Sequence, residues 1–182
     1  MKLLKFDIDG VACDHAEAIC KAVNSEFYCS SKKDDVTKWD HDFGEITFVE
    51  AVERYYPSGD FILQMPVTKG FTGLLDKLKD KFHLSFITTR GHSHEATTCW
   101  IKDNFGNYSV EFVKSKELAD LDVLVDDSEK EIANIVKANK IGILLKQPWN
   151  DNTNTRNKLH KLKNAFLASE VAGLEKLLID IS

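Results

Sequence analysis

The fold follows from one run of residues near the start of the chain, Leu3-Leu4-Lys5-Phe6-Asp7-Ile8-Asp9-Gly10. A short, mostly apolar run of this kind is typical of a buried β-strand. Asp7 and Asp9 alternate at its end, and Gly10 then allows the backbone to turn sharply. We therefore predict a buried strand whose carboxyl end carries two acidic side chains.

Four more short apolar runs predict further strands, at Leu84–Ile87, Ser109–Val113, Val123–Val125 and Ile141–Leu145. Segments with helical periodicity lie between them. One such face is formed by apolar residues at Phe71, Leu74, Leu75, Leu78 and Phe82. Another helix is predicted after Ser128, which precedes Glu131 by three residues in a capping-box pattern. Alternating strands and helices predict an α/β domain with a parallel sheet.

One interval breaks this alternation. About 60 residues separate the first strand from the Phe71 helix, far more than a crossover needs. The interval has its own helical patterns, around Ala16–Phe27 and Phe48–Tyr55. We interpret residues 13–66 as a helical cap over the sheet, and residues 1–12 and 67–182 as the core. Apolar residues from Leu159 to Leu178 predict a single amphipathic helix at the end of the chain.

Composition places the chain among globular proteins and excludes several classes of partner. Its 182 residues are 43% hydrophobic and 29% charged, which suits one domain with an insertion. A formal net charge of −5 argues against binding to nucleic acid or to an anionic membrane. No apolar run is long enough to span a membrane, and no signal peptide is recognisable. We expect a cytoplasmic protein, with a homodimer left open.

The cysteines and histidines give no metal or disulfide pattern. Four cysteines without a Cys-x-x-Cys pair indicate reduced thiols. His92, His94 and Cys99 are spaced too loosely to predict a zinc site.

Polar side chains follow each of the first four predicted strands. In an open parallel sheet, ligands bind outside the carboxyl ends of the strands. The polar residues at those ends are Asp7 and Asp9, Thr88 to Arg90, Lys114 and Lys116, and Asp126 and Asp127. We therefore expect them to meet at one edge of the sheet. For Asp127 or Ser128 taken alone, a helix N-cap is an equally good interpretation.

These residue types suit phosphoryl transfer. Two carboxylates brought together repel by about 4 kcal/mol at an effective dielectric of 20, so the cluster needs a hard cation, and Mg²⁺ fits. Lys116 and the Thr88 hydroxyl would complement a phosphoryl group, with Lys114 as a competitor for the lysine role. One Asp could attack phosphorus to form an aspartyl-phosphate, and a second could act as general acid and base.

The ordered set resembles the four motifs of the haloacid-dehalogenase-like phosphohydrolases. Asp7-Ile8-Asp9-Gly10-Val11 is similar to motif one, Thr88 to motif two, Lys116 to motif three and Asp126-Asp127 to motif four. The resemblance implies a three-layer, Rossmann-like parallel sheet in the order 5-4-1-2-3. It also implies Mg²⁺-dependent phosphoryl transfer and a cap between motifs one and two.

Within that superfamily the chain most resembles the 5'(3')-deoxyribonucleotidases. The similar segments are Phe6–Ala12, Leu124–Asp127 and Gln147-Pro148-Trp149-Asn150. The resemblance implies that Asp7 is the nucleophile and a metal ligand. It implies that Asp9 is the acid/base and offers its backbone carbonyl to Mg²⁺. Asp126 and Asp127 both remain candidates for the remaining ligand.

Two departures concern substrate binding. His15 stands where the family commonly has an aromatic residue, and Thr89-Arg90 replaces its usual Ser-Pro. We predict that His15, Trp39, Thr89 and Arg90 contact the substrate, with a nucleobase between His15 and Trp39. The predicted enzyme hydrolyses phosphate monoesters, with (deoxy)nucleoside monophosphates as substrates. Two alternatives remain: a phosphatase of another small metabolite such as a sugar phosphate, and a non-catalytic nucleotide-binding module.

Overall fold

The computed structural model describes residues 1–182 and contains one sheet of six parallel strands. The strands are β1 (Lys2–Phe6), β2 (Phe82–Thr88), β3 (Val110–Phe112), β4 (Val123–Asp126), β5 (Ile141–Leu145) and β6 (Ala165–Ala168). The helices are α1 (His15–Phe27), α2 (Phe48–Tyr55), α3 (Gly59–Leu63), α4 (Phe71–Leu78), α5 (His94–Phe105), α6 (Glu129–Lys137), α7 (Thr153–Leu159) and α8 (Val171–Ile181). Two single 3₁₀ turns lie at Lys33–Asp35 and Lys116–Leu118.

The strand order across the sheet is β3-β2-β1-β4-β5-β6. Read from the opposite edge, this order confirms the predicted 5-4-1-2-3 and adds one strand beyond β5. The central strand β1 pairs with β2 on one side and with β4 on the other, where Phe6 lies opposite Phe86 and Val125. The ends of β1, β2 and β4 therefore lie side by side at one edge of the sheet.

Helices cover both faces of the sheet, which confirms the three-layer prediction. One face carries Phe6, Val125 and Ile143, and these pack in the main core with apolar side chains of α4, α5 and α8. The other face carries Leu124 and Leu144, which pack against α6 and α7. Helix α6 lies so close to β5 that a Cβ at Gly142 would lie 2.9 Å from Ile132 Cγ2. Glycine in this strand is explained by that close approach.

The prediction for the end of the chain is wrong. The expected single helix is a helix, a strand and a second helix, namely α7, β6 and α8. The spacing of Leu159, Leu162 and Phe166 matches a helix, but Phe166 lies in β6 opposite Ile143 of β5. Pairing with the open edge of β5 satisfies backbone hydrogen-bonding groups that a helix there would leave unpaired.

The long interval after β1 holds the two predicted helices, α1 and α2, together with the short α3. Its far end is tied to the core, because Trp100 Nε1 of α5 donates to the Met65 carbonyl at 2.9 Å. The Asp14 amide also donates to the Pro66 carbonyl at 2.9 Å, which brings the two ends of the interval together. None of the helices combines the length and the apolar character that crossing a membrane requires.

Candidate active site

The polar residues at the strand ends share one cleft. Its volume is about 520 Å³, and it lies at the carboxyl edge of the sheet. Its walls include Asp7 and Asp9 after β1, Thr88 and Arg90 at the end of β2, Lys116 after β3, and Asp126 and Asp127 at the end of β4. The topology produces this arrangement because parallel strands end at the same edge.

Lys116 bridges two of the carboxylates. Its Nζ donates to Asp7 Oδ1 at 2.6 Å and to Asp126 Oδ2 at 2.7 Å. Burial alone would lower the pKa of Lys116, but the charges of Asp7 and Asp126 outweigh it and raise that pKa. Lys116 therefore stays a cation in the site. Lys114, the competing lysine, is exposed and does not line the cleft.

Three buried carboxylates lie close enough to share a cation. Oxygen atoms of Asp7, Asp126 and Asp127 are all within 4.8 Å of one another. Burial, followed by the neighbouring acids, raises the pKa of Asp127, and burial raises the pKa of Asp7 to about 7 despite Lys116. Without another positive charge, this cluster is not fully ionised at neutral pH.

Asp127 is held by a loop that follows β5. Trp149 Nε1 donates to Asp127 Oδ2 at 2.9 Å, and Asn150 Nδ2 donates to the Asp127 carbonyl at 2.7 Å. Gln147 Nε2 donates to the Gly10 carbonyl at 2.5 Å and so joins the same loop to the turn after β1. Gly10 has a φ of +74°, and a Cβ there would lie 2.5 Å from Asp127 Oδ2. The turn can therefore carry only glycine while Asp127 keeps this position.

Asp9 has a different environment from Asp7. Its Oδ1 accepts from Arg90 Nη2 at 2.5 Å and from the Tyr56 hydroxyl at 2.7 Å, and Cys13 Sγ lies 3.4 Å away. Burial of Asp9 favours its neutral form, but the charge of Arg90 outweighs burial and lowers the Asp9 pKa to about 2. Asp9 is thus ionised at rest.

Thr88, the last residue of β2, and Thr89, which follows it, differ in exposure. Thr88 is buried, and its Oγ1 accepts from the Arg90 amide at 3.1 Å. Thr89 is exposed, and both residues line the cleft.

Trp39 and His15 pack in an aromatic cluster beside the cleft. Trp39 lines the cleft and is 46% exposed, whereas His15 is buried and is absent from the cleft wall. Their ring centroids lie 5.8 Å apart with an interplanar angle of 23°, so the two rings contact each other directly. The prediction that a base lies between them is wrong, because a ring inserted there would need about twice the usual stacking distance. Of the two rings, only Trp39 lines the cleft.

Several residues of the site escaped the sequence argument. Tyr56 stands at the end of α2 with no pattern that marks it. Trp149, Gln147 and Asn150 were noted only as part of a similar family segment, and their contacts with Asp127 and Gly10 could not be read from spacing.

A comparison with family models identifies the chain. The model described as "5' nucleotidase, deoxy (Pyrimidine), cytosolic type C protein" matches residues 1–168 of the 182. The chain belongs to this family. It is accordingly a phosphoric monoester hydrolase of the 5'-nucleotidase type, as the motifs predicted. Among curated proteins, none matches the chain.

Solved structures with the same fold are haloacid-dehalogenase-like hydrolases. A haloacid-dehalogenase-like family protein from Streptococcus pneumoniae is 12% identical to this chain, with a TM-score of 0.67. The match covers 100% of this chain and 99% of the S. pneumoniae chain. A hydrolase of the same superfamily from Deinococcus radiodurans, with bound phosphate and sodium, is 14% identical with a TM-score of 0.64. The match covers 99% of this chain and 96% of the D. radiodurans chain. The D,D-heptose 1,7-bisphosphate phosphatase from B. bronchiseptica, complexed with magnesium and phosphate, is 12% identical with a TM-score of 0.50, covering 100% of both chains. At these identities the likeness establishes the shared fold.

Proposed function

We propose that the protein hydrolyses (deoxy)nucleoside monophosphates with Mg²⁺ and through an aspartyl-phosphate on Asp7. The observation that supports this proposal best is the joint contact of Lys116 with Asp7 and Asp126 inside a cleft that also holds Thr88, Asp9 and Asp127. This one site combines a nucleophile, a fixed cation, a hydroxyl and a further carboxylate for proton transfer.

The carboxylate cluster fits a magnesium ion. Its donors are hard oxygen atoms from Asp7, Asp126 and Asp127, which is the ligand type that Mg²⁺ prefers. Both Asp126 oxygens are already used, by Lys116 and by the Ser128 amide. Asp127 keeps Oδ1 without a protein hydrogen bond, so we assign Asp127 rather than Asp126 as the direct ligand, beside Asp7 and the Asp9 carbonyl. Bound there, Mg²⁺ would neutralise charge on the carboxylates and on a phosphoryl group.

Asp7 is the nucleophile of the proposed reaction. Lys116 holds its Oδ1, and the protein donates no hydrogen bond to its Oδ2. Attack by Oδ2 forms the Asp7–phosphorus bond and breaks the bond from phosphorus to the ester oxygen. Lys116 and the Thr88 hydroxyl stabilise charge on the transferred group.

Asp9 would act as the general acid in the first step and as the general base in the second. Asp9 is ionised before substrate binds, so it first takes up a proton from solvent together with the substrate. It gives that proton to the departing ester oxygen, which leaves as an alcohol, and then takes one from the water that hydrolyses the aspartyl-phosphate. Because a nearby negative charge raises the pKa of a carboxyl group, a phosphate ester entering beside Asp9 favours its protonation. Asp9 then releases this proton to solvent as inorganic phosphate leaves, which returns Asp7 and Asp9 to their ionised starting states.

The segment 13–66 would select the leaving group. We propose that it forms a cap over a core of residues 1–12 and 67–182. It contributes Trp39, Val52, Glu53 and Tyr56 to the cleft wall opposite the strand ends. The exposed face of Trp39 could stack on a nucleobase. Thr89 lies at the mouth, where it could contact the substrate.

A substrate panel tests the proposal. Initial rates of phosphate release would be measured in Mg²⁺ with nucleoside and deoxynucleoside monophosphates, sugar phosphates and p-nitrophenyl phosphate. We expect the highest kcat/KM with the nucleotides, and no turnover after exhaustive chelation until Mg²⁺ is restored. A clear preference for sugar phosphates would establish the metabolite-phosphatase alternative. Nucleotide binding without phosphate release would establish a non-catalytic module.

A further inference from the structure

Asp9 is held by side chains from three parts of the chain. Arg90 comes from the end of β2 and donates through Nη2 at 2.5 Å and Nε at 3.3 Å. Tyr56 comes from the end of α2 and donates its hydroxyl at 2.7 Å, while Cys13 contacts the same oxygen from the turn before α1. The Asp9 side chain is 20% exposed and the Arg90 side chain 2%. Asp9 therefore faces the cleft, and Arg90 supports it from behind.

Arg90 is itself fixed on every side. Its Nη1 donates to Thr97 Oγ1 of α5 at 2.8 Å, and its guanidinium carbon lies 4.9 Å from the centroid of the Tyr56 ring. Arg90 thus donates three of its five N–H groups to Asp9 and Thr97. Its role as a substrate contact stays a prediction.

Tyr56 links this arrangement to the segment above the cleft. The Ser93 hydroxyl donates to the backbone carbonyl of Tyr56 at 2.9 Å and to that of Pro57 at 3.1 Å. Ser93 precedes α5 and has a φ of 54°, a left-handed conformation that is uncommon for serine. The end of α2 is therefore attached both to Asp9 and to the start of α5.

We propose that Arg90 and Tyr56 are positioning residues that fix the direction of the Asp9 carboxylate toward the leaving oxygen. Tyr56 makes that direction depend on how the segment 13–66 is seated on the core. This inference rests on the proposed function, in which Asp9 protonates the leaving group. Both positioning residues act through Asp9.

The variant Tyr56→Phe tests the proposal with little disturbance, because it keeps the ring against Arg90 and removes only the hydroxyl. A matched control is Tyr55→Phe, since the Tyr55 hydroxyl also donates to a carboxylate, Glu26 Oε2 at 2.6 Å, but away from the cleft. Both variants would be assayed with a nucleoside monophosphate, whose alkoxide needs a proton to leave, and with p-nitrophenyl phosphate, whose phenolate leaves without one. The comparison uses kcat/KM, which covers departure of the leaving group and omits the later hydrolysis step.

For Tyr56→Phe we expect kcat/KM for the nucleotide to fall roughly 10-fold, a part of the 10²–10⁴-fold that a positioned acid supplies. The value for p-nitrophenyl phosphate and the inhibition constant of inorganic phosphate should change less than about 2-fold, and Tyr55→Phe should match wild type. Arg90→Lys keeps the charge but loses the paired donors. It should show the same selective loss, and a larger one.

The selectivity of the effect separates positioning from a general loss of structure. A general loss would lower activity on both substrates alike, so a loss confined to the nucleotide reports the orientation of Asp9. Equal losses on both substrates, or no loss in Tyr56→Phe, would overturn the inference while leaving the proposed function intact. A wild-type protein without phosphatase activity in Mg²⁺ would overturn both.

Discussion

The cleft has two walls that are built from different contacts. The wall at the sheet edge consists of charged side chains held by short, buried ion pairs, such as those of Lys116 with Asp7 and Asp126. The wall from segment 13–66 consists mainly of ring contacts, in which Trp39 packs on His15 and Phe48 with centroids 5.8 and 5.5 Å away. The first wall is fixed by strand ends, and the second by the packing of helices and a loop.

This difference suggests a division of labour. In the proposed function, the sheet wall acts on the phosphoryl group, which every phosphate monoester shares, and the wall from segment 13–66 contacts the leaving group. Loss of the nucleophile from the sheet wall should therefore reduce activity on all substrates. Changes that affect proton transfer to the leaving group, and changes in the other wall, should alter selectivity.

The largest effect is expected for Asp7→Asn. An amide cannot form the aspartyl-phosphate, so we expect phosphate release to fall by at least about 10⁴-fold with every substrate of the panel. Asp120→Asn, at an exposed acid outside the cleft, serves as a control and should match wild type. Circular dichroism and thermal unfolding would show that both variants are folded. Substantial phosphate release from purified Asp7→Asn would remove Asp7 as the nucleophile.

Asp9→Asn should have the next largest effect. Loss of the acid/base should lower kcat/KM for nucleotides by roughly 10²–10⁴-fold. The loss should be smaller for p-nitrophenyl phosphate, whose leaving group needs no proton. Steady-state assays at saturating and limiting substrate would measure both. An unchanged nucleotide rate, with chemistry limiting turnover in both proteins, would exclude Asp9 from proton transfer.

The two walls also differ in how well the sequence predicts them. Asp7, Thr88, Lys116 and Asp127 follow recognisable strands, and a parallel sheet brings such residues to one edge whatever the loops do. The order of five strands was predictable through the resemblance that those residues carry. Sequence therefore determines the sheet wall most clearly, because local pattern and topology act together there.

Elsewhere the decisive contacts join distant parts of the chain. Tyr56 reaches Asp9 across 47 positions, and Trp149 reaches Asp127 across 22, without a periodic pattern that marks either pair. Strand β6 was mistaken for helix because its apolar spacing fits both structures, and only the open edge of β5 decides between them. His15 was assigned to substrate, although its burial depends on how Trp39 folds over it.

His15 gives the third prediction, which concerns stability. Burial lowers the pKa of His15 from 6.5 to about 4, so the fold favours the neutral ring. The unfolded chain binds the proton more readily between these values, and the stabilising contribution is complete above pH 6.5 and declines as the pH falls toward 4. The full difference corresponds to roughly 3 kcal/mol.

Urea unfolding at pH 7 and pH 4.5 would test this point. Wild type should lose more of its free energy of unfolding over this range than His15→Leu, which cannot titrate. His160→Leu, at an exposed histidine, should behave as wild type. The same pH dependence in His15→Leu would show that other groups cause the acid loss.

The smallest effect is expected for Trp39→Ala. Stacking of a base on an aromatic side chain is worth about 1–3 kcal/mol, so kcat/KM for nucleotides should fall roughly 5–150-fold. Activity on p-nitrophenyl phosphate should fall much less, and Trp39→Phe should recover part of the nucleotide activity. Equal losses on the two substrates would show that Trp39 only supports the packing of His15 and Trp149.

The most direct test of the mechanism is to detect the phosphorylated enzyme. Wild type, Asp9→Asn and Asp7→Asn would be mixed with Mg²⁺ and p-nitrophenyl phosphate, whose leaving group needs no proton, quenched in acid within the first turnovers, digested and examined by mass spectrometry. We expect the mass of one phosphoryl group on the peptide that contains Asp7, sensitive to hydroxylamine. It should be most abundant in Asp9→Asn, where hydrolysis is slowed, and missing in Asp7→Asn. Turnover by wild type with the Asp7 peptide unmodified in both wild type and Asp9→Asn, or with the phosphoryl group on another residue, would contradict the proposed mechanism.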